Sequence, residues 1–84
     1  MKKRWYVYIL KMADNSLYTG VTIDLKKRLK SHASGKGSKY VRSRLPIKEI
    51  HMGEALDKTE AMQLEYRIKQ LDKKDKIKTL LGEL

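Results

Sequence analysis

The sequence predicts an α+β fold: a small antiparallel three-stranded β-sheet covered by helices, in the order ββαβαα. Three observations predict it. Two β-branched and aromatic runs are separated by a turn-forming triplet. A third short alternating run follows a proline, and three stretches carry apolar residues at helical spacing. At 84 residues there is room for one domain, spanning 1–84. With no cysteine in the chain, disulfides, thiolate zinc sites and cysteine nucleophiles are excluded.

The first strand is Trp5-Tyr6-Val7-Tyr8-Ile9-Leu10 and the second Leu17-Tyr18-Thr19-Gly20-Val21-Thr22, with Asp14-Asn15-Ser16 between them, so together they read as a hairpin. A three-residue loop of Ala13, Asp14 and Asn15 pairs Tyr8 with Gly20 and Leu10 with Tyr18. Tyr8, Tyr18 and Gly20 then share one face. A two-residue Asp14-Asn15 turn puts the tyrosines on opposite faces, because strand side chains alternate. Gly20 leaves a gap in which backbone or a ligand can approach. Trp5 is expected in the core.

Asp24 is a good N-cap for a helix over residues 24–34, with Leu25 and Leu29 at i,i+4 and Gly35 as the C′ residue. Gly35-Lys36-Gly37-Ser38-Lys39 reads as a mobile basic loop. Pro46 opens a third strand over residues 47–52, and His51 within it is expected to be structural. Asp57 with Glu60 three residues on forms a capping-box pattern, after which Ala61, Leu64, Ile68 and Leu71 recur at helical spacing. From Lys73 a last helix carries Ile77, Leu80 and Leu81 on one side.

Charge bounds the partner. Twenty Lys+Arg against ten Asp+Glu give a net charge of +10, which favours nucleic acid. Residues 25–48 hold nine basic and no acidic side chains, so this segment supplies nine of the ten net charges. The longest apolar run, residues 5–10, is far short of the roughly 20 residues a membrane span requires. No membrane association is expected, and the default compartment is the cytoplasm.

Five side chains are candidates for chemistry. At roughly 100° per residue, Arg28 and His32 share the helix face of Leu25 and Leu29, while Lys26, Lys27 and Lys30 point elsewhere. Arg28 either holds a phosphate bidentately or pairs with a carboxylate. His32 is either a packing or capping residue or part of a site. Glu65 lies on the flank of the apolar stripe of its helix, where it either binds a hard cation such as Mg²⁺ or pairs with Lys69 at i,i+4. Tyr8 and Tyr18 are either packing residues or site residues.

Their order is more telling than any one of them. Tyr6-Val7-Tyr8, then Tyr18-Thr19-Gly20, then Arg28, His32 and the later helical Glu65 resemble the GIY-YIG nuclease superfamily along nearly the whole chain. Gly35-Lys36-Gly37-Ser38-Lys39-Tyr40 and Glu65-Tyr66-Arg67-Ile68-Lys69 look like the small single-domain bacterial proteins of the UPF0213 group. Relative to the superfamily pattern, Tyr6 and Val7 replace the glycine and isoleucine of the first motif. Thr19 replaces the isoleucine of the second, and Val21 stands where excision-repair relatives often carry lysine. An asparagine that some relatives carry beyond the acidic helix has no counterpart, because Asn15 is the only asparagine.

The resemblance implies that Tyr8, Tyr18, Arg28 and His32 form the catalytic site and that Glu65 holds one divalent metal, Mg²⁺ or Mn²⁺. It implies phosphodiester hydrolysis by a water whose proton leaves to a tyrosinate or nearby base. Lys36, Lys39, Tyr40, Arg42 and Arg44 follow the site-bearing helix and are expected to contact nucleic acid, most readily DNA. The resulting expectation is a metal-dependent endonuclease with little sequence specificity, in DNA repair or recombination, with a protein partner supplying any targeting. The alternatives are a non-catalytic nucleic-acid-binding module on the same scaffold and a structural basic protein of a ribonucleoprotein.

Overall fold

The computed structural model describes residues 4–82, within which the elements run β1 (Tyr6–Met12), β2 (Leu17–Thr22), α1 (Leu25–Ala33), α2 (Lys39–Arg42), β3 (Ile47–Met52), α3 (Lys58–Lys69) and α4 (Lys73–Leu80). The three strands form one antiparallel sheet in the order β2-β1-β3. This is the expected α+β architecture with one short helix added.

The hairpin takes the three-residue loop. The N–H of Met12 donates to the carbonyl of Ser16 and that of Asn15 to the carbonyl of Met12, with Asn15 at φ 69°. That left-handed position closes such loops, and Asn adopts it more readily than most residues. Asp14 secures the turn by accepting from both the N–H and the hydroxyl of Ser16. The resulting register pairs Tyr8 with Gly20 and Leu10 with Tyr18, so Tyr8 and Tyr18 emerge on the same face.

Strand β1 is central and buried on both faces, and its alternation divides the core in two. Val7 and Ile9 meet Ala61 and Ile68 of α3 and Leu80 of α4, with Trp5, Leu64 and Ile77 packed at the margin. Tyr8, Leu10 and Met12 face the opposite way, against Val41 of α2 with Leu25, Leu29 and Tyr40 alongside. The sheet therefore lies between α1/α2 and α3/α4, and the basic segment covers the tyrosine face. Leu81, expected beside Leu80, is exposed at the C-cap of α4.

Both long helices that frame the site are capped as their sequences dictate. Asp24 accepts from the N–H of Lys27 at the start of α1. Asp57 and Glu60 form the reciprocal capping box of α3, with distances of 2.8 Å and 3.1 Å.

The basic loop read over residues 35–39 ends one residue early, because Lys39 opens the short helix α2. Gly35 ends α1 at φ 81° with its N–H on the carbonyl of His32, and the N–H of Lys36 bonds the carbonyl of Ser31. Ser38 then caps α2 by accepting from the N–H of Val41. A four-residue helix anchored by Val41 alone has no periodicity to read. The Leu45–Pro46 peptide that follows is cis. No helix among the described residues is long and apolar enough to cross a membrane.

Candidate active site

Four of the five candidate side chains meet on the sheet face covered by α1 and α2. Tyr8 is wholly buried, its phenol lying across Gly20 on the neighbouring strand; a Cβ at Gly20 would stand 2.5 Å from the Tyr8 hydroxyl oxygen. The gap that Gly20 leaves is thus filled by the protein's own tyrosine. Tyr18 is half-buried on the same face, with ring centroids 6.3 Å apart. Helix α1 brings His32, also buried, so that its Nε2 lies 2.9 Å from the Tyr8 hydroxyl and its ring stands edge-on to Tyr18 at 5.4 Å. Arg28, one turn earlier, donates from Nε to the Tyr8 hydroxyl oxygen at 3.4 Å.

The electrostatics follow from this packing. Burial holds the Tyr8 phenol above its ordinary value against the opposing hydrogen bond from Arg28, with the negative charges of Tyr18 and Glu65 pushing the same way as burial. Burial, and then the positive charge of Arg28, hold the His32 imidazole below its ordinary value. The site thus carries a protonated Tyr8 and a neutral His32 at neutral pH. The Tyr8 oxygen in turn favours the charged guanidinium of Arg28. Among the described residues no carboxylate forms an ion pair with Arg28, so the reading in which a carboxylate satisfies it is not realised. A half-buried cation without a counter-ion is a ready anion site. Arg28 also lines an open groove of about 350 Å³ with Thr22, Ile23, Asp24, Lys27 and Ser31, where β2 hands over to α1.

Glu65 arrives from the opposite helix layer. Its side chain is 20% exposed and is held by Lys69 at 3.4 Å, the i,i+4 pair expected from spacing. Among the described residues no hydrogen bond or ion pair joins it to the other four, although its charge reaches Tyr8. The five residues therefore form a group of four and a neighbour within electrostatic range.

The basic segment divides as well. Lys36, Lys39 and Arg42 are exposed around α2. Tyr40 packs instead against Tyr18, with centroids 5.9 Å apart, and Arg44 lies 3.8 Å over the Tyr40 ring while pairing with Asp14 at 3.5 Å. Tyr40 and Arg44 thus wall the tyrosine pair, and their rings and charges are already engaged. Gly37, which reasoning from sequence missed, packs directly on the His32 ring; the Gly-Lys-Gly spacing after the helix was its only signal.

Residues 4–78 match the family model of the GIY-YIG catalytic domain. The chain belongs to the GIY-YIG family. It is 49% identical over 80 residues to the UPF0213 protein of Oceanobacillus iheyensis, covering 95% of this chain and 93% of that one. With the UPF0213 protein of Bacillus velezensis it shares 54% identity over 71 residues, covering 84% and 72% of the two chains. The solution NMR structure of the UPF0213 protein from Bacillus halodurans is 46% identical and covers 86% of this chain and 77% of its own, with a TM-score of 0.47.

GIY-YIG nucleases generally use a divalent metal, and the donors present here can be tested against one. No group of three His, Asp or Glu among the described residues can enclose an ion. Glu65 offers one largely buried carboxylate, the hard oxygen donor that Mg²⁺ prefers. Mg²⁺ is commonly held by one or two carboxylates and completed by water and substrate phosphate rather than by an all-protein cage. The donor chemistry fits on those terms. Glu65 would be the residue to hold the cation, and its carboxylate is engaged by Lys69 in this structure.

Proposed function

We propose that this GIY-YIG chain is an endonuclease that hydrolyses phosphodiester bonds in DNA with a divalent cation, Mg²⁺ or Mn²⁺, and with little sequence preference. The observation that carries the reading is Arg28: a half-buried guanidinium beside a groove, oriented by Tyr8 and, among the described residues, in no ion pair with a carboxylate. A phosphate entering the groove meets this cation, which balances charge as the phosphorus centre becomes more negative, a positioning and electrostatic task. The two tyrosines divide the work by access. Tyr8 is sealed in and kept protonated by burial, so it acts as a positioning residue that holds Arg28 and His32. Tyr18 is partly exposed, so of the two phenols it is the one that solvent can reach. Water attacks phosphorus and its proton passes by way of Tyr18 to solvent; the phosphorus–oxygen bond to the leaving strand end breaks, and the departing oxygen takes a proton from solvent to end as a hydroxyl. Glu65 would hold the divalent cation, which when bound would add to the neutralisation of phosphate charge.

Lys36, Lys39 and Arg42 extend the contact along neighbouring phosphates. Such a footprint grips the backbone and carries no base code, which is the basis for expecting little sequence preference. Branched, nicked or single-stranded DNA of repair and recombination is the substrate class, and any finer targeting comes from a partner in the cytoplasm.

The deciding experiment is cleavage of duplex, nicked, branched and single-stranded DNA and of RNA with Mg²⁺ or Mn²⁺. Arg28→Ala should lose about 10²–10³ in rate. Glu65→Gln should abolish metal-dependent cleavage while the fold is retained. Tyr18→Phe should lose more activity than Tyr8→Phe when both are folded. Wild-type protein that binds the panel and cuts none of it establishes the binding-module reading instead, which the Glu65–Lys69 pair favours.

A further inference from the structure

Behind the site lies an arrangement that the chemistry above does not use. Gly37 rests against the His32 imidazole so closely that a Cβ there would stand 2.8 Å from Cε1 and 2.9 Å from Cγ, and nearer still to Nδ1. Real Cβ contacts essentially never fall below 3.0 Å. Among the described residues, His32 Nδ1 is buried without a hydrogen-bond partner. A buried polar atom usually has one, so this side of the ring is placed by packing on Gly37 and not by a hydrogen bond. On the other side of the ring, Nε2 lies 2.9 Å from the Tyr8 hydroxyl, which accepts from Arg28 Nε at 3.4 Å. Gly37, His32, Tyr8 and Arg28 therefore stand in series.

The front of this series is equally constrained. Tyr8 cannot retreat toward β2, because its phenol already covers Gly20, and Tyr18 closes the remaining side. The back is fixed by the loop, whose left-handed Gly35 and whose bonds from Gly35 N–H to His32 and from Lys36 N–H to Ser31 seat Gly37 on the ring. The same loop carries Lys36, and Lys39 opens the helix after it.

We infer that Gly37 is a positioning residue: by admitting no side chain it seats His32, and through His32 and Tyr8 it sets the guanidinium of Arg28. The loop that grips flanking phosphates and the arginine that meets the reacting one are thereby one mechanical unit. The catalytic half of this inference rests on the nuclease reading; the packing half does not.

The test is a double-mutant cycle of Gly37→Ala with His32→Ala, read by thermal stability, by imidazole NMR and by cleavage. Two histidines, His32 and His51, make the imidazole signals separable. Gly37→Ala should shift the His32 signals and leave those of His51 in place. It should also lower the melting temperature, and that loss should vanish on the His32→Ala background, where the methyl has room. Cleavage by Gly37→Ala should fall about 10²-fold in kcat with KM little changed, the size expected of a misplaced catalytic group. Unmoved His32 signals, or stability losses that add in the double variant, overturn the inference. If Gly37→Ala alone does not fold, recovery of the fold in the double variant supports it and failure of both overturns it. A wild-type protein that cuts nothing removes the nuclease reading and leaves the stability and NMR arms to decide the packing.

Discussion

His32 is a buried imidazole held by one phenol, one glycine and a nearby guanidinium, and its burial makes the fold sensitive to pH. The groups that face it are Tyr8 and Tyr18 from the hairpin and Arg28 from its own helix; among the described residues no carboxylate bonds it. Its folded pKa lies below the ordinary value of 6.5, so between those two values the unfolded chain binds more protons than the folded one. Stability is then fully present above about 6.5 and is lost as pH falls toward the folded value, where the loss levels off. Tyr8 acts at the other end: its pKa is raised, so stability is lost as pH rises above about 10. The urea midpoint of the wild type should therefore fall between pH 7.5 and 5.5, and His32→Gln should flatten that fall. A midpoint that is flat in the wild type refutes the buried neutral imidazole.

At the scale of the element, α3 shows how much a local rule can specify. Its capping box is complete, and Asp57→Ala should cost about 1 kcal/mol of stability, measured by urea unfolding. A loss near zero would show that tertiary packing alone holds this end. The same box was legible in the sequence as Asp57 and Glu60, and so was the flank position of Glu65 with its pairing to Lys69, because each depends on spacing within one helix. The hairpin register was legible only as far as loop length. Alternation left the tyrosines on one face or on two, and it took the left-handed Asn15 to decide. What stayed hidden depends on contacts between distant elements. Gly37 on His32, Tyr40 beneath Tyr18 and Arg44 drawn to Asp14 join residues that no periodicity relates. Helix α2 was hidden because four residues cannot show a helical repeat.

Over the whole molecule, the charge is layered as the core is. Residues 25–48, with nine basic and no acidic side chains, build α1 and α2 over the tyrosine face, whereas the sequence of 49–84 holds seven basic and eight acidic, and its helices α3 and α4 form the opposite layer. On the proposed reading, a nucleic acid approaching this molecule is drawn to the basic face, the one that holds Arg28. Within that face the exposed cations and the engaged one should separate experimentally. Each phosphate neutralised steepens the log–log dependence of duplex binding on salt by about 0.9. Replacing Lys36, Lys39 and Arg42 together by alanine should make the slope shallower by roughly 2.7 if each holds one phosphate. Arg44→Ala should behave differently, because its guanidinium already lies over Tyr40 and pairs with Asp14. It should lower thermal stability and leave the slope nearly unchanged. A slope that loses as much with Arg44→Ala as with Lys39→Ala would mean that Arg44 leaves Asp14 to meet the phosphate, and a slope insensitive to all four would move the nucleic-acid face away from α2.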